Sequence, residues 1–175
     1  MHVLYAGAMH ATITLLIVYH SHTGGTRQMV EAAVAGAQAG DSGVEVRLLR
    51  APEAQVADVL AADGYLFATP ENLAAVSGLL KDFFDRTYYG ALDQINGRPY
   101  ASLVCAGSDG TNAARQIARI ATGWRLRPVA DPLIVCTHAQ TPEAILAPKQ
   151  IGPADLERCR ALGEAMAAGL GMGVF

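Results

Sequence analysis

His20-Ser21-His22-Thr23-Gly24-Gly25-Thr26 lies between an apolar run, Thr12–Tyr19 (TITLLIVY), and a segment, Thr26–Ala39, whose Met29, Val30, Ala33, Val34 and Ala37 fall on one helical stripe. A run apolar on both faces is what a central parallel strand requires when helices cover both sides of its sheet. Glycines and hydroxyls at such a strand-to-helix junction build an anion site. The glycines let backbone N–H groups converge, the hydroxyls donate, and the helix dipole favours negative charge. The loop is not a Walker A loop, because no Gly-Lys-Ser/Thr occurs in the chain, and the G-x-G-x-x-G dinucleotide fingerprint is also absent. It holds no cysteine, which excludes a phosphatase-type cradle, and no carboxylate cluster ends the first strand as a metal-dependent phosphoacceptor site requires. The plain alternative is an ordinary glycine-rich turn.

Outward from this loop the alternation continues. Val44–Leu49 reads as a second strand, Pro52–Leu60 as a short helix and Gly64–Thr69 as a third strand. Ser77–Tyr89 reads as a helix with Leu79, Leu80, Phe83 and Phe84 inward and Lys81, Asp82, Asp85 and Arg86 outward. Pro99–Ala106 is the fourth strand and Thr111–Thr122 the next helix, with Ala113, Ile117, Ile120 and Ala121 buried. Leu126–Val135 carries the fifth strand; Pro128 and Pro132 cannot donate to a ladder, so it belongs at a sheet edge. Pro153–Ala168 is the last helix, with Pro153 at its first position and Leu156, Cys159, Leu162 and Met166 inward. Five alternations predict an α/β fold, an open parallel sheet with helices on both faces. Ligands of such sheets sit beyond the carboxyl ends of the strands. Three loops leave that edge: His20–Thr26, Pro70–Val76 and Gly107–Gly110.

The chain has 175 residues, the size of one ordinary domain. Hydrophobic residues make up 51% and charged residues 17%, which excludes a disordered chain. The net charge is −3, and eleven of the thirteen basic residues are arginines. No basic stripe exists to condense on a phosphate backbone, so no nucleic-acid partner is expected. Cys105, Cys136 and Cys159 are odd in number and widely spaced, which suits buried thiols in a reducing compartment. The first 19 residues are mostly apolar, yet no Lys or Arg precedes Arg27, and the uninterrupted run Leu15–Tyr19 is too short to span a bilayer. A cytoplasmic protein without a membrane partner is therefore expected, with residues 1–11 a flexible extension and residues 12–175 a single domain.

Ser21-x-Thr23-Gly24-x-Thr26 resembles the phosphate-binding loop of the flavodoxin-like family, [ST]-x-T-G-x-T, in the same place after the first strand. Thr69-Pro70-Glu71-Asn72-Leu73, continuing through Ser77-Gly78-Leu79-Leu80-Lys81-Asp82-Phe83-Phe84-Asp85-Arg86, is similar to the matching segment of the FMN-dependent NAD(P)H reductase branch. The resemblance covers residues 12–169. It implies a flavodoxin-like three-layer sandwich whose five-stranded parallel sheet runs in the order 2-1-3-4-5. It implies FMN as cofactor and NAD(P)H as co-substrate. Ser21, His22, Thr23, Gly24, Gly25 and Thr26 would cradle the FMN phosphate. Pro70, Glu71, Asn72 and Leu73 would flank one side of the isoalloxazine, and Gly107, Ser108, Asp109 and Gly110 would face its pyrimidine edge. The family pattern often stacks an aromatic residue from the second loop, and none is present here. Leu73 must serve, or Tyr88 or Tyr89 must swing in, a homodimer partner being one source. Glu71 also places near the ring a carboxylate that would oppose negative charge there by up to about a few kcal/mol.

Other constellations carry plainer readings. Ala106-Gly107-Ser108-Asp109-Gly110 looks like a relaxed nucleophile elbow, with Asp131 and His138 following in hydrolase order, but a glycine-rich loop needs no catalysis. His20-x-His22 and Cys136-x-His138 are better read as incidental than as a metal site, and no metal is expected. Arg115, Arg119, Arg125 and Arg127 read first as a solvated surface, with contact to a nicotinamide dinucleotide phosphate the alternative for some of them, and Cys105 reads as inert packing. The leading expectation is an FMN enzyme that moves electrons from NAD(P)H to a quinone, flavin or similar small acceptor, with no protein acid or base required. The alternatives are a one-electron carrier, a serine hydrolase using Ser108, and a flavin-binding regulatory module.

Overall fold

The computed structural model describes residues 11–175. The expected extension therefore lies, apart from Ala11, outside the described residues. The first strand, β1, spans Thr14–Tyr19, and α1 spans Gly25–Ala39. Next come β2 (Glu45–Arg50), α2 (Val56–Ala61) and β3 (Gly64–Asn72). A two-residue strand β4 (Ala75–Val76) precedes α3 (Gly78–Ala91), β5 (Pro99–Ala106) and α4 (Thr111–Gly123). The chain continues through β6 (Arg127–Pro128), β7 (Leu133–Cys136), α5 (Pro142–Leu146) and α6 (Pro153–Gly171).

The parallel α/β sheet is present, but the expected five strands in the order 2-1-3-4-5 require correction. The sheet has seven strands, with β2-β1-β3-β5-β6 as its path, β4 paired to β3 and β7 paired to β5. Two local causes account for the extra strands. The second loop is itself paired: β3 runs on to Asn72 and turns back antiparallel, Glu71 opposite Val76 and Asn72 opposite Ala75. The turn residues Leu73 and Ala74 both have positive φ, 50° and 60°, the geometry of a two-residue hairpin. The edge strand is split. Arg127–Pro128 and Leu133–Cys136 pair separately with β5, and the prolines at 128 and 132 interrupt the ladder between them.

Period-two alternation in the central strands sorts the core into two layers. Leu16, Val18, Tyr65, Phe67, Tyr100 and Val104 face α2, α3 and α4. Leu15, Ile17, Leu66, Ala68, Leu103 and Cys105 face α1 and α6. On the first face Phe67 lies within 5.0–6.3 Å, centroid to centroid, of the rings of Tyr65, Phe83, Phe84, Tyr100 and Trp124. Such stacked, edge-on and tilted pairs add about 0.5–1.5 kcal/mol each beyond their buried area. On the second face α1 and α6 meet backbone to backbone. A Cβ at Gly163 would lie 1.8 Å from the Ala33 carbonyl oxygen, and one at Gly36 would lie 1.9 Å from that of Arg160.

Helix detail departs from expectation in several places, of which three lie on α2, α3 and α4. The segment at Pro52 begins as a turn, and the helix starts only at Val56, where Gln55 and Asp58 form a reciprocal capping box. Leu79, expected inward, is exposed, because Leu80, Phe83 and Phe84 already fill the inner stripe of α3. Ile120 is only partly buried.

Candidate functional site

The cleft lies beyond the carboxyl ends of β1, β3 and β5, and its volume is about 660 Å³, within the usual range for small-molecule sites. Three loops anticipated from sequence meet in it. Ser21, His22, Thr23, Gly25 and Thr26 come from the first loop, Pro70, Glu71, Asn72 and Leu73 from the second, and Gly107 and Ser108 from the third. Gly24, Asp109 and Gly110 do not line it. Gly24 faces an adjoining groove. Gly110 is buried as the residue before α4, where a Cβ would stand 2.7 Å from Ile134 Cγ2. Asp109 turns to its own loop and accepts from the Thr111 hydroxyl.

The first loop is shaped by two glycines with different tasks. Gly24 precedes α1 with φ 92°, a left-handed conformation that suits glycine, and as the N-cap residue it has no side chain to offer the helix. The leading N–H groups of a helix have no intrahelical acceptor, so α1 presents donors and a positive dipole end to the cleft. Gly25 is needed for space: a Cβ there would meet Cys105 Sγ at 2.5 Å. The Ser21 hydroxyl closes the loop by accepting from the Arg27 N–H at 3.2 Å. Thr26 Oγ1 is buried and has no hydrogen-bond partner. A hydroxyl left this way costs about 1–3 kcal/mol, which a ligand oxygen at the helix end would relieve.

The second loop is a rigid wall. Asn112 of α4 donates its side-chain amide to the Ala74 carbonyl, and Gln116 accepts from the Val76 N–H at 2.8 Å. Glu71 accepts from the Gly110 N–H at 3.0 Å through Oε1, tying the second loop to the third, while its Oε2 is buried and unpartnered. Leu73 sits fully exposed at the hairpin tip. Tyr88 and Tyr89 do not approach the cleft. They lie ten residues and more into α3, about 15 Å along a helix that begins at the cleft end. Among the described residues no Phe, Trp or Tyr lines this cleft.

The fourth wall was not anticipated from sequence. Thr137, Ala139, Gln140, Ile145, Leu146 and Lys149, on the segment between β7 and α6, complete the cleft together with Ala74, Cys105 and Ala106. Its short helix had a readable signal, Thr141-Pro142, where the Thr141 hydroxyl accepts from the Ala144 N–H. Lys149 donates its amino group to the carbonyls of Ala144, Ile145 and Ala147, ending that helix. Gln28 of α1 then holds the segment against the first loop. Its amide nitrogen donates to the carbonyls of Gly24 and Lys149, and its oxygen accepts from the Ile151 N–H. No local pattern announces such a long-range tie.

Burial raises the Cys105 thiol to about 11, so it remains protonated and packs under Gly25. His20 is lowered from 6.5 by burial first, then by the charges of His22 and Arg50. The hydrolase arrangement does not assemble. Asp131 precedes β7, at the amino end of the sheet, whereas Ser108 and His138 follow their strands at the carboxyl end.

Residues 51–141 match the family model described as NADPH-dependent FMN reductase. That span includes the second and third loops and begins after the first. A flavodoxin from Aquifex aeolicus is 35% identical over 106 residues, 59% of this chain and 55% of its own length. An NAD(P)H dehydrogenase (quinone) from Acidithiobacillus ferrooxidans is 33% identical over 93 residues, 42% of this chain and 46% of its own. The chain thus matches about half the length of these curated relatives. Among solved structures, a flavodoxin from the domain Archaea superposes with a TM-score of 0.72 at 17% identity, covering 90% of this chain and 99% of that one. No described helix is long and apolar enough to cross a membrane.

Proposed function

The chain belongs to the NADPH-dependent FMN reductase family, and from that premise we propose that residues 12–175 form one FMN-binding unit that moves electrons from NAD(P)H to a quinone, flavin or similar small acceptor. The observation that carries the reading is Thr26 Oγ1, buried without a partner in the first turn of α1. It fits a phosphate ester, which supplies acceptor oxygens and negative charge where the chain presents donors and a positive dipole end. Bound FMN would supply hydride acceptance and electron delivery to the acceptor.

The residues of the chain bind, orient and shield. Ser21, His22, Thr23, Gly25 and Thr26 hold the phosphate through hydroxyls and backbone N–H groups, and Gly24 turns the chain into α1. Pro70, Glu71, Asn72 and Leu73 form the wall along one side of the ring, kept in place by Asn112 and Gln116. Gly107 and Ser108 face the ring edge, while Asp109 and Gly110 shape that loop, Asp109 accepting from the Thr111 hydroxyl and Gly110 donating its N–H to Glu71. The unpartnered Glu71 Oε2 would accept a hydrogen bond from a ring N–H. The cleft wall lacks an aromatic residue, which leaves space for a second planar molecule and favours turnover over a shielded carrier flavin. A homodimer could contribute a further wall, and the three free thiols suit a reducing cytoplasm.

The test is anaerobic mixing of the FMN-loaded protein with NADPH and with NADH, followed by a quinone. Loss of the yellow flavin absorbance on mixing and its return with quinone are expected. Flavin that is reduced only by a protein donor, and never by NAD(P)H, would establish the carrier reading instead.

A further inference from the structure

A groove of about 570 Å³ continues from the cleft across the first loop to the ends of β1 and β2. Tyr19 and Arg50, the last residues of those strands, are register partners there. Arg27 closes the other side, its Nη2 only 3.9 Å from where a Gly24 Cβ would stand. Ser21, His22 and Thr23 face both the groove and the cleft, so the two are contiguous. The groove wall carries Arg27 and Arg50 and no carboxylate, with Tyr19, Leu146 and Pro148 as its apolar flank.

Two nearby carboxylates do not neutralise it. Glu31 approaches Arg27 at 3.8 Å with both side chains well exposed, and such pairs are weak. Glu53 accepts from the Arg50 backbone N–H, and no ion pair among the described residues involves the Arg50 guanidinium. The positive field is felt by a neighbour: after burial, the charges of His22 and Arg50 help hold His20 neutral. Guanidinium groups bind phosphate in a fork, and a tyrosine ring with two apolar neighbours offers a surface to a nucleobase.

We propose that the Arg27–Arg50 groove is a second phosphate subsite that takes the adenylate half of a dinucleotide. The inference rests on the first loop holding the flavin phosphate, with the adenylate beyond it. Two sources share this chemistry, a flavin bound in its adenylated form and a pyridine dinucleotide carrying a 2′-phosphate.

The experiment uses the full chain and its Arg50→Ala and Arg50→Lys variants, each first shown to melt like the parent. Calorimetric titration of FMN-saturated protein with adenosine 2′,5′-bisphosphate should show binding that weakens about tenfold in Arg50→Ala and less in Arg50→Lys, with the FMN affinity unchanged. If the source is the flavin, the parent binds FAD more tightly than FMN, and Arg50→Ala removes that advantage. If the source is the pyridine dinucleotide, kcat/KM falls about tenfold for NADPH and stays level for NADH. An Arg50→Ala variant that changes neither the bisphosphate affinity nor the FAD-to-FMN ratio overturns the proposal. So does one that loses FMN as strongly as the bisphosphate, because Arg50 would then belong to the first site. A parent that binds no FMN but binds the bisphosphate in an Arg50-dependent way would sink the FMN reading and keep the groove.

Discussion

Replacing Thr26 by Val should move two measurements in opposite directions. The side chains are nearly the same size, so the change removes a hydroxyl and leaves the packing at this buried position almost intact. Without ligand that hydroxyl has no partner. Removing an unsatisfied buried donor returns part of its desolvation cost, of the order of 1–3 kcal/mol. The ligand-free variant should therefore melt no lower than the parent, and up to several degrees higher. With FMN the sign reverses. A hydrogen bond to a charged phosphate contributes about 1.5–3 kcal/mol, so FMN should bind roughly ten- to a hundredfold more weakly. Riboflavin, which carries no phosphate, should bind the two proteins alike. Flavin fluorescence titrations and melting curves of ligand-free protein provide the readouts. If the variant melts lower and keeps its FMN affinity, the hydroxyl is structural and the phosphate lies elsewhere.

Gly163→Ala should destabilise the protein by more than about 2 kcal/mol in a urea titration, although alanine is the better helix former by about 1 kcal/mol. The Ala33 carbonyl would stand 1.8 Å from the new Cβ, and backbone cannot step aside as a side chain can. An unchanged midpoint would show that α1 and α6 are further apart than described. His20 sets a pH dependence. Its folded value lies below 6.5, so between the two values the unfolded chain binds the extra proton, and stability is lost as pH falls below 6.5. In His20→Gln the decline of Tm below pH 6.5 should be shallower than in the parent, and parallel curves would remove His20 from the account.

What was legible in the sequence was periodic or punctuated. TITLLIVY, the glycine-rich loop after it and the stripe of α1 are local patterns, and they place the first loop at the carboxyl edge without further information. The second loop was legible as residues but not as a shape. Nothing in Glu71-Asn72-Leu73-Ala74 advertises a hairpin, because Leu and Ala are poor residues for positive φ. The hairpin holds through Asn112 and Gln116, some forty residues away. The fourth wall failed for the same reason, since Gln28 reaches segments more than a hundred positions distant. The split of the edge strand was half visible: the prolines marked an edge, but not that it would pair in two pieces.

The close approach of Gly36 and Gly163 to opposing carbonyls bears on how the protein is made. The helix that supports the first loop packs one side on the sheet and has the other covered by α6, whose contact residues are synthesised more than a hundred positions later. During synthesis α1 therefore leaves the ribosome with that side bare, and long-range closure of this kind is slow and exposes apolar surface meanwhile. The first loop waits as well for residues 149–151, which Gln28 of α1 holds against it. A chaperone encountering this protein on the ribosome would meet α1 with Ala33 and Gly36 uncovered.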